Sequence, residues 1–240
     1  MLLQKIQNSE TGSFIVDVPS QGLIIKGIDR SAKIKIDLVT SNSNDVNRLP
    51  EMSIETAVNI SLAIAKRSAV ISENADVYSE ALILFSAGGV LPFDDDTKYK
   101  VTLTDLGATS DVEFHNLDSS ALGLPVVVKK AEVRSTQTEK TENYKEVDLL
   151  VFDDVLPLRL THLVDDSRGS AREPKFRKVE ISPEQINAYS KSFRAVIDKA
   201  GTITYGLTVD VFPISQLNAL TFHHDTSLDE DLIYYTVNVD

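Results

Sequence analysis

Strict alternation of apolar and polar residues is the feature that most limits the folds open to this chain. The clearest case is the segment 32–38, in which Ile34, Ile36 and Leu38 alternate with two lysines and an aspartate. Successive residues of a strand point to opposite faces of a sheet, so this segment buries one face and exposes the other to water. It predicts an antiparallel sheet that covers a core on one side.

Strand patterns of this kind recur along the whole sequence. Further strands are expected at 13–18, 22–26, 98–106, 112–114, 125–128, 147–152, 156–163, 176–181, 202–212, 216–223 and 232–239. Turn residues bound many of them, as expected for short strands of a sandwich or barrel. The predicted fold class is therefore all-β.

Two apolar segments are less clear. Residues 54–64 mostly alternate, but Ala57, Val58 and Leu62 also fit a helical stripe, so we favour a strand there and keep a helix as the alternative. The segment 76–85 could begin as a helix, and Gly88 and Gly89 end it in either case.

One helix is predicted near 183–199. Ser182 is a natural N-cap, Pro183 suits the first helical position and Glu184 lies in the first turn. A stripe of apolar residues at helical spacing follows, and Lys199 and Gly201 close the segment.

The length of 240 residues suits two sandwiches of seven or eight strands, with a midpoint near 116–123. We therefore expect an N-terminal β-sandwich at 1–120 and a C-terminal β-sandwich with an inserted helix at 121–240. This division rests on size and pattern, because no clear sequence repeat relates the halves.

The charge and composition argue against several classes of protein. The net charge of −12 opposes general binding to nucleic acid or to an anionic membrane surface. The sequence has no cysteine, which excludes disulfides and thiolate zinc sites. We expect no secretion signal, because the start of the chain turns polar too soon, and no apolar stretch reaches the ~20 residues of a membrane helix.

The usual catalytic motifs are missing. The sequence has no Gly-X-Ser-X-Gly, no phosphate loop, no dinucleotide fingerprint and no His-Glu-X-X-His. His223 and His224 are adjacent in a predicted strand and so point to opposite faces, one expected half-buried and the other exposed. His115 follows a strand residue, and His162 is expected at a surface or interface. We therefore predict no enzyme and no catalytic, cofactor or metal residues.

Calcium is the one cofactor alternative. Its candidate ligands are the acidic turns 94–96 and 229–231, while 153–154 and 165–166 are further acidic pairs. Aspartate also suits turns without any ion, and that interpretation is favoured. The basic residues cluster in 168–178 beside acidic ones, as in a solvated loop or a subunit contact.

The second half of the sequence resembles a known family. The helix 182–199 is followed by TITYGLTVDV at 202–211, LTFHHDTS at 220–227 and LIYYTV at 232–237. This order is similar to that of the small double jelly-roll major capsid proteins of tailless icosahedral bacteriophages with an internal membrane, in which a helical excursion precedes the last strands of a jelly roll.

The resemblance implies two tandem jelly rolls and a structural role in the virion. It implies a homotrimer whose six jelly rolls form a pseudo-hexagonal capsomer, which then contacts other capsomers, other virion proteins and an internal membrane. Assembly would take place in the host cytoplasm, without specific nucleic acid. The interface candidates are 90–93, 168–177 and the C-terminal strand. The alternative is a β-sandwich binding module, such as a phage fibre, an adhesin or a carbohydrate-binding domain.

Overall fold

The structure is a computed structural model that describes residues 1–40, 45–65, 69–71, 76–91, 97–107, 111–143, 147–152, 160–168, 176–192, 194–198, 203–205, 209–214 and 219–239. The chain forms two compact units. Unit 1 comprises residues 1–129, 193–206 and 239–240, and unit 2 comprises 130–192 and 207–238. These units differ from the continuous halves 1–120 and 121–240, because the segment 193–206 belongs to unit 1.

Unit 1 is built from strands and one long helix. Its elements are β1 (Leu2–Gln7), β2 (Gly12–Val16), β3 (Gly22–Lys26), β4 (Ile28–Asp29), β5 (Lys33–Thr40), β6 (Val46–Ser53), α1 (Ile54–Ala65), β7 (Ala69–Ile71), β8 (Val77–Leu84), β9 (Ser86–Ala87), β10 (Thr97–Thr104) and β11 (Asp111–Leu117). Two strands from later in the chain, β17 (Arg194–Asp198) and β18 (Ile203–Tyr205), complete it.

Unit 2 is built from strands, one helix and a short 3-10 turn. They are β12 (Leu124–Val133), β13 (Glu139–Asn143), β14 (Leu149–Phe152), β15 (Leu160–Arg168), β16 (Phe176–Ile181), α2 (Pro183–Lys191), β19 (Asp210–Pro213), β20 (Ala219–His224), a 3-10 turn (Thr226–Leu228) and β21 (Leu232–Val239). The first residues of β12 lie in unit 1, where they pair with β9.

The strand order of unit 1 is that of a jelly roll. One sheet runs β1-β11-β3-β8, extended by β7, β17 and β18, and the other runs β2-β10-β5-β6. We call the eight strands of these two four-stranded sheets the principal strands: β1, β2, β3, β5, β6, β8, β10 and β11. Numbered 1 to 8 along the chain, they follow the orders 1-8-3-6 and 2-7-4-5. Two four-stranded sheets in this order are the two Greek keys of a jelly roll.

Unit 2 repeats this order strand for strand. Its sheets run β12-β21-β14-β19 and β13-β20-β15-β16, which again read 1-8-3-6 and 2-7-4-5. In both units a helix lies between the fifth and the sixth principal strand. The chain therefore forms two jelly rolls in tandem, which confirms the fold class predicted from the sequence.

Each unit has its own apolar core. In unit 1 the alternating strand 32–38 buries Ile34 and Ile36, and Phe14 packs on Phe114 with ring centroids 4.9 Å apart. In unit 2 the rings of Phe222 and Tyr234 pack at 4.8 Å. The alternation of the sequence thus defines the inner face of each sandwich.

The segment 54–64, predicted as a strand, is the helix α1 instead. Nine of its twelve residues are buried, Asn59 and Ser61 among them. A helix that is apolar on nearly every side shows no clean stripe, so its sequence also satisfies an alternating pattern. The segment 76–85 is the strand β8 rather than the start of a helix.

The predicted helix 183–199 ends early. Ser182 caps α2, as its sequence indicated, and also forms a capping box with Gln185, but the helix stops at Lys191. Residues 194–198 form β17, which pairs in parallel with β7. Their β-branched Val196 and Ile197 suit this strand, so their fit to the helical stripe was incidental.

Other differences concern the ends of strands. Strand β15 continues through Arg168, beyond the expected end at 163, so the acidic pair Asp165 and Asp166 lies in a strand. The single strand expected at 202–212 is divided into β18 and β19. No helix within the described ranges is long and apolar enough to cross a membrane.

The two helices share a local sequence that links each to its sandwich. Both follow the pattern Ser-X-Glu-X5-Ser, at 53–61 in unit 1 and at 182–190 in unit 2. The first serine caps the helix, since Ser53 Oγ accepts from Thr56 N at 3.1 Å and Ser182 Oγ accepts from Gln185 N at 3.4 Å.

The last serine of each pattern binds the sixth principal strand. Ser61 Oγ accepts a hydrogen bond from Leu84 N of β8 at 3.0 Å, and Ser190 Oγ accepts one from Val211 N of β19 at 2.7 Å. Each hydroxyl also donates to the carbonyl four residues earlier in its own helix. This repeat of sequence and contact was missed by the pattern analysis of the halves.

Candidate functional surfaces

The four histidines lie in three different settings. His115 on β11 has Nε2 3.2 Å from Glu113 Oε2 of the same strand. His224 is only 4% exposed and points into the core of unit 2, while its neighbour His223 is half-buried. The sequence had predicted one half-buried and one exposed residue in this pair. Their opposite orientations agree with strand geometry.

His223 meets a third histidine across the sheet. It is the register partner of His162 on β15, and the two rings stack with centroids 3.9 Å apart and planes inclined by 15°. Each ring is half-buried. His162 was expected at a surface or interface, but its contact with His223 was not predicted, because the pattern of a single strand does not show which strand it pairs with.

The acidic clusters are only partly described. The segments 94–96 and 153–154 lie outside the described residues, and the side chains of Asp165 and Asp166 are not described. The turn 229–231 is exposed, and Asp231 Oδ1 accepts a hydrogen bond from Ser135 N at 2.7 Å. The described part of the chain, this turn included, contains no group of three or more histidines and carboxylates that could hold a metal.

Two carboxylates differ in electrostatic environment. Burial raises the pKa of Asp210, against the opposing effect of its hydrogen bonds with Asn187 and Ser190. The hydroxyl and backbone of Ser227 lower the pKa of Asp225, which caps the short 3-10 turn. Both groups hold local structure: Asp210 is bound by α2, and Asp225 by the turn that follows β20.

The basic segment forms a hairpin at a sheet edge. Strands β15 and β16 pair antiparallel, and β16 is the last strand of its sheet. Asp166 is the register partner of Lys178, and Ser167 is that of Arg177. This strand pair therefore places acidic and basic positions close together at the sheet edge, while 169–175 lies outside the described residues.

An exposed apolar loop of unit 1 was not singled out from the sequence. Leu122 is 77% exposed and Leu124 is 55% exposed. The loop is tied to Val90, whose N donates to Ala121 O at 2.8 Å and whose carbonyl accepts from Gly123 N at 2.9 Å. Exposed leucines two residues apart, next to a loop held by these hydrogen bonds, are a candidate contact surface. The apolar run 121–125 beside the midpoint was the available signal.

Glycines make this loop possible. A Cβ atom on Gly89 would lie 2.2 Å from Ala121 O, and one on Gly123 would lie 2.4 Å from Gly89 O. No other residue permits such an approach of two backbones. The segment 121–124 is thus a second interface candidate beside 90–93, which was predicted from the sequence. Pro92 and Phe93 lie outside the described residues.

The C-terminal strand does not form an interface edge. Strand β21 lies between β14 and β12, so both of its edges are paired. Leu232, Tyr234, Tyr235 and Val237 are buried. Its edges are therefore not open to strand pairing with another copy, and its part in an interface stays a prediction that would involve its outer face.

Comparison with known proteins gave a likeness to solved structures. No protein-family model matches the sequence. No curated protein matches it either. The chain is similar to the crystal structure of the major capsid protein P2 from bacteriophage PM2, over 100% of this chain and 95% of that one, with a TM-score of 0.49 and 8% identity. That protein is a bacteriophage major capsid protein, as are the proteins that the sequence resembles.

Proposed function

We propose that this protein is a structural component of a bacteriophage virion, a major capsid subunit that self-associates as a homotrimer. Three chains with two jelly rolls each supply six similar sandwiches, which suits a pseudo-hexagonal capsomer. Capsomers then contact each other laterally to form an icosahedral shell, together with other virion proteins and an internal membrane.

One observation carries this proposal. The order 1-8-3-6 and 2-7-4-5, with a helix after the fifth strand, occurs twice in a chain of 240 residues. The two units also anchor their helices through equivalent serines. Two sandwiches of the same construction in one chain allow a three-fold assembly to approximate six-fold packing.

The role in a shell calls for no chemistry. The described surfaces include stacked histidines, a charged strand pair and an exposed apolar loop, which suit contacts between proteins. In this proposal the protein acts in the virion through its interfaces and is not an enzyme. The exposed leucines of 121–124 are the leading candidates for contact with another copy.

The native mass tests the proposal. Light scattering on a sizing column with untagged protein should give three chains of 26.4 kDa, about 79 kDa, or larger shell-like particles. The same run with calcium tests the remaining cofactor alternative at 94–96 and 229–231. A strict monomer at high concentration, unchanged by calcium, would contradict the capsid role and favour the binding module.

A further inference from the structure

We propose that His162 and His223 form a two-histidine site for a divalent transition-metal ion on the outer face of unit 2. The two residues are register partners on the neighbouring strands β15 and β20. Their rings stack at 3.9 Å and both remain half-exposed, so an ion reaches them from solvent. The site does not depend on the proposed capsid function.

A β-bulge creates the pair. Leu160 and Leu163 are both buried, and they face His224 and Phe222 across the sheet. In an uninterrupted strand His162 would point the same way as Leu160, into the core. The register shifts between Leu160 and His162, and the extra residue turns His162 outward beside His223. Bulges of this kind redirect side chains and are common beside functional sites.

The extra residue also orients the His162 ring. Thr161 Oγ1 donates a hydrogen bond to the backbone carbonyl of His223 at 3.0 Å and lies 3.3 Å from His162 Nδ1. A hydroxyl has a single proton, so toward Nδ1 it acts as an acceptor and holds the proton on that nitrogen. The lone pair of His162 is then on Nε2. A hydrogen bond to the other ring nitrogen is what orients most metal-binding histidines.

The chemistry of the donors selects the ion. Neutral imidazoles bind Ni²⁺, Cu²⁺ and Zn²⁺, whereas calcium prefers oxygen ligands. One ion cannot lie in the planes of two parallel rings, so binding requires a rotation of the His223 ring about Cβ–Cγ, while Thr161 keeps the His162 ring in place. This torsion is soft, and no backbone movement is needed.

A carboxylate lies in the same row of the sheet. Glu139 on β13 is the register partner of His223 on its other side, and it is exposed. Directly paired residues share a face, so Glu139, His223 and His162 follow one another across three strands. The row offers a negative charge beside the two imidazoles, and water completes the coordination of the ion.

Titration of untagged protein with NiCl₂ by calorimetry tests the site. We expect one ion per chain, and weakening by about ten-fold or more in H162Q and in H223Q, because each removes a ligand. T161V should weaken binding by about ten-fold, since it keeps both ligands but removes the orienting hydroxyl. H115Q is the matched control, because it removes a histidine from unit 1, and its binding should equal that of the native protein.

Spectroscopy of the native protein provides a test that does not depend on the folding of any variant. The electron paramagnetic resonance spectrum of one equivalent of Cu²⁺ should show two equatorial nitrogen ligands. A spectrum with a single nitrogen, or equal nickel affinity in H162Q, H223Q and the native protein, would overturn the proposal. Circular dichroism confirms that each variant is folded.

Discussion

Gly89 and Gly123 hold two backbone segments of unit 1 in direct contact. Their α-hydrogens face carbonyl oxygens at distances that leave no room for a side chain. The contact fixes the loop that exposes Leu122 and Leu124. Residues of this kind show how a surface feature can depend on a position that carries no functional group.

The substitution Gly123→Ala should therefore destabilise the protein. The added Cβ would lie 2.4 Å from Gly89 O and 2.7 Å from Ala87 O, so the backbone must shift, at a cost of about 1–3 kcal/mol. Gly12→Ala is the matched control: its Cβ would also lie at 2.4 Å from an atom, but this atom is the mobile Ile6 Cδ1. Urea unfolding of both variants should show the larger loss for Gly123→Ala, and equal losses would contradict the argument.

Tyr99 predicts how stability depends on pH. Burial raises the pKa of its phenol to about 12, with a smaller opposing effect of Arg48. In the unfolded chain this pKa is 10.0, so the folded state keeps a proton that the unfolded state loses. The contribution of Tyr99 to the free energy of unfolding is complete below pH 10. It decreases by about 2 kcal/mol as the pH rises toward 12.

The measurement is urea unfolding at pH 9 and pH 11 on three proteins. Tyr99→Phe should flatten the alkaline loss of stability, because it removes the titrating group. Tyr189→Phe, at a half-buried position on α2, should keep the slope of the native protein. An unchanged slope in Tyr99→Phe would show that another group causes the alkaline loss.

The sequence alone predicted the helix cap and the inward-facing strand residues, which depend on local pattern. The cap at Ser182 and the inward residues Ile34 and Ile36 were predicted from neighbours in the chain, and the structure confirms them. The contact of His162 with His223 was not predictable, because it depends on a bulge and on the pairing of strands distant in sequence. The exposure of Leu122 depends in the same way on the approach of Gly89 and Gly123.

The helices α1 and α2 are attached to their sandwiches by the same device. A buried serine in the eighth helical position satisfies a backbone N–H of the next principal strand. This contact orients the helix and satisfies a backbone donor at the strand, Leu84 N in unit 1 and Val211 N in unit 2. Its recurrence means that both helices should respond alike to loss of the hydroxyl.

Ser61→Ala and Ser190→Ala should each cost about 1–3 kcal/mol, because each leaves a buried backbone N–H without its partner. Thermal unfolding of the two variants measures the effect. Ser31→Ala, which alters an exposed serine, is the control and should change stability by less than about 0.5 kcal/mol. A negligible loss in either buried variant would contradict the shared role.

The capping box of α2 gives a second prediction at this scale. Ser182→Ala should destabilise unit 2 by about 1 kcal/mol, because the backbone N–H of Gln185 loses its acceptor. In Gln185→Ala the reciprocal bond from Ser182 N is lost instead. A double-mutant cycle should show coupling between the two residues, and strictly additive losses would mean that the box does not act as a unit.

The errors in element assignment have physical causes. A buried helix such as α1 lacks a polar face, so its sequence does not distinguish it from a strand. The end of α2 depends on the parallel pairing of β17 with β7, more than a hundred residues earlier in the chain. Burial of the whole helix decided the first case, and strand pairing decided the second.

For the whole molecule, the alternating patterns predicted the class and the tandem arrangement of the fold. They did not predict its boundaries, because residues 193–206 leave the second half of the sequence to complete unit 1. The repeated Ser-X-Glu-X5-Ser pattern was the available sign that the halves share a plan. It is too short to be recognised without the strand order beside it.

The proposed self-association makes a prediction about the exposed loop. Leu122→Asp should lower the oligomeric fraction, because it places a charge where copies would bury an apolar side chain. Leu228→Asp is the control, since Leu228 is also exposed but lies in unit 2 on the short 3-10 turn. Sedimentation velocity measures both, and an unchanged oligomer in Leu122→Asp would remove this loop from the interface.

Electron cryomicroscopy of the largest species that the purified protein forms on its own tests the proposed role as a capsid subunit. Two jelly rolls per chain predict particles with three-fold symmetry and six similar lobes, alone or packed side by side. Particles of another symmetry, or single chains under all conditions, would contradict the assignment of this protein as a capsid subunit.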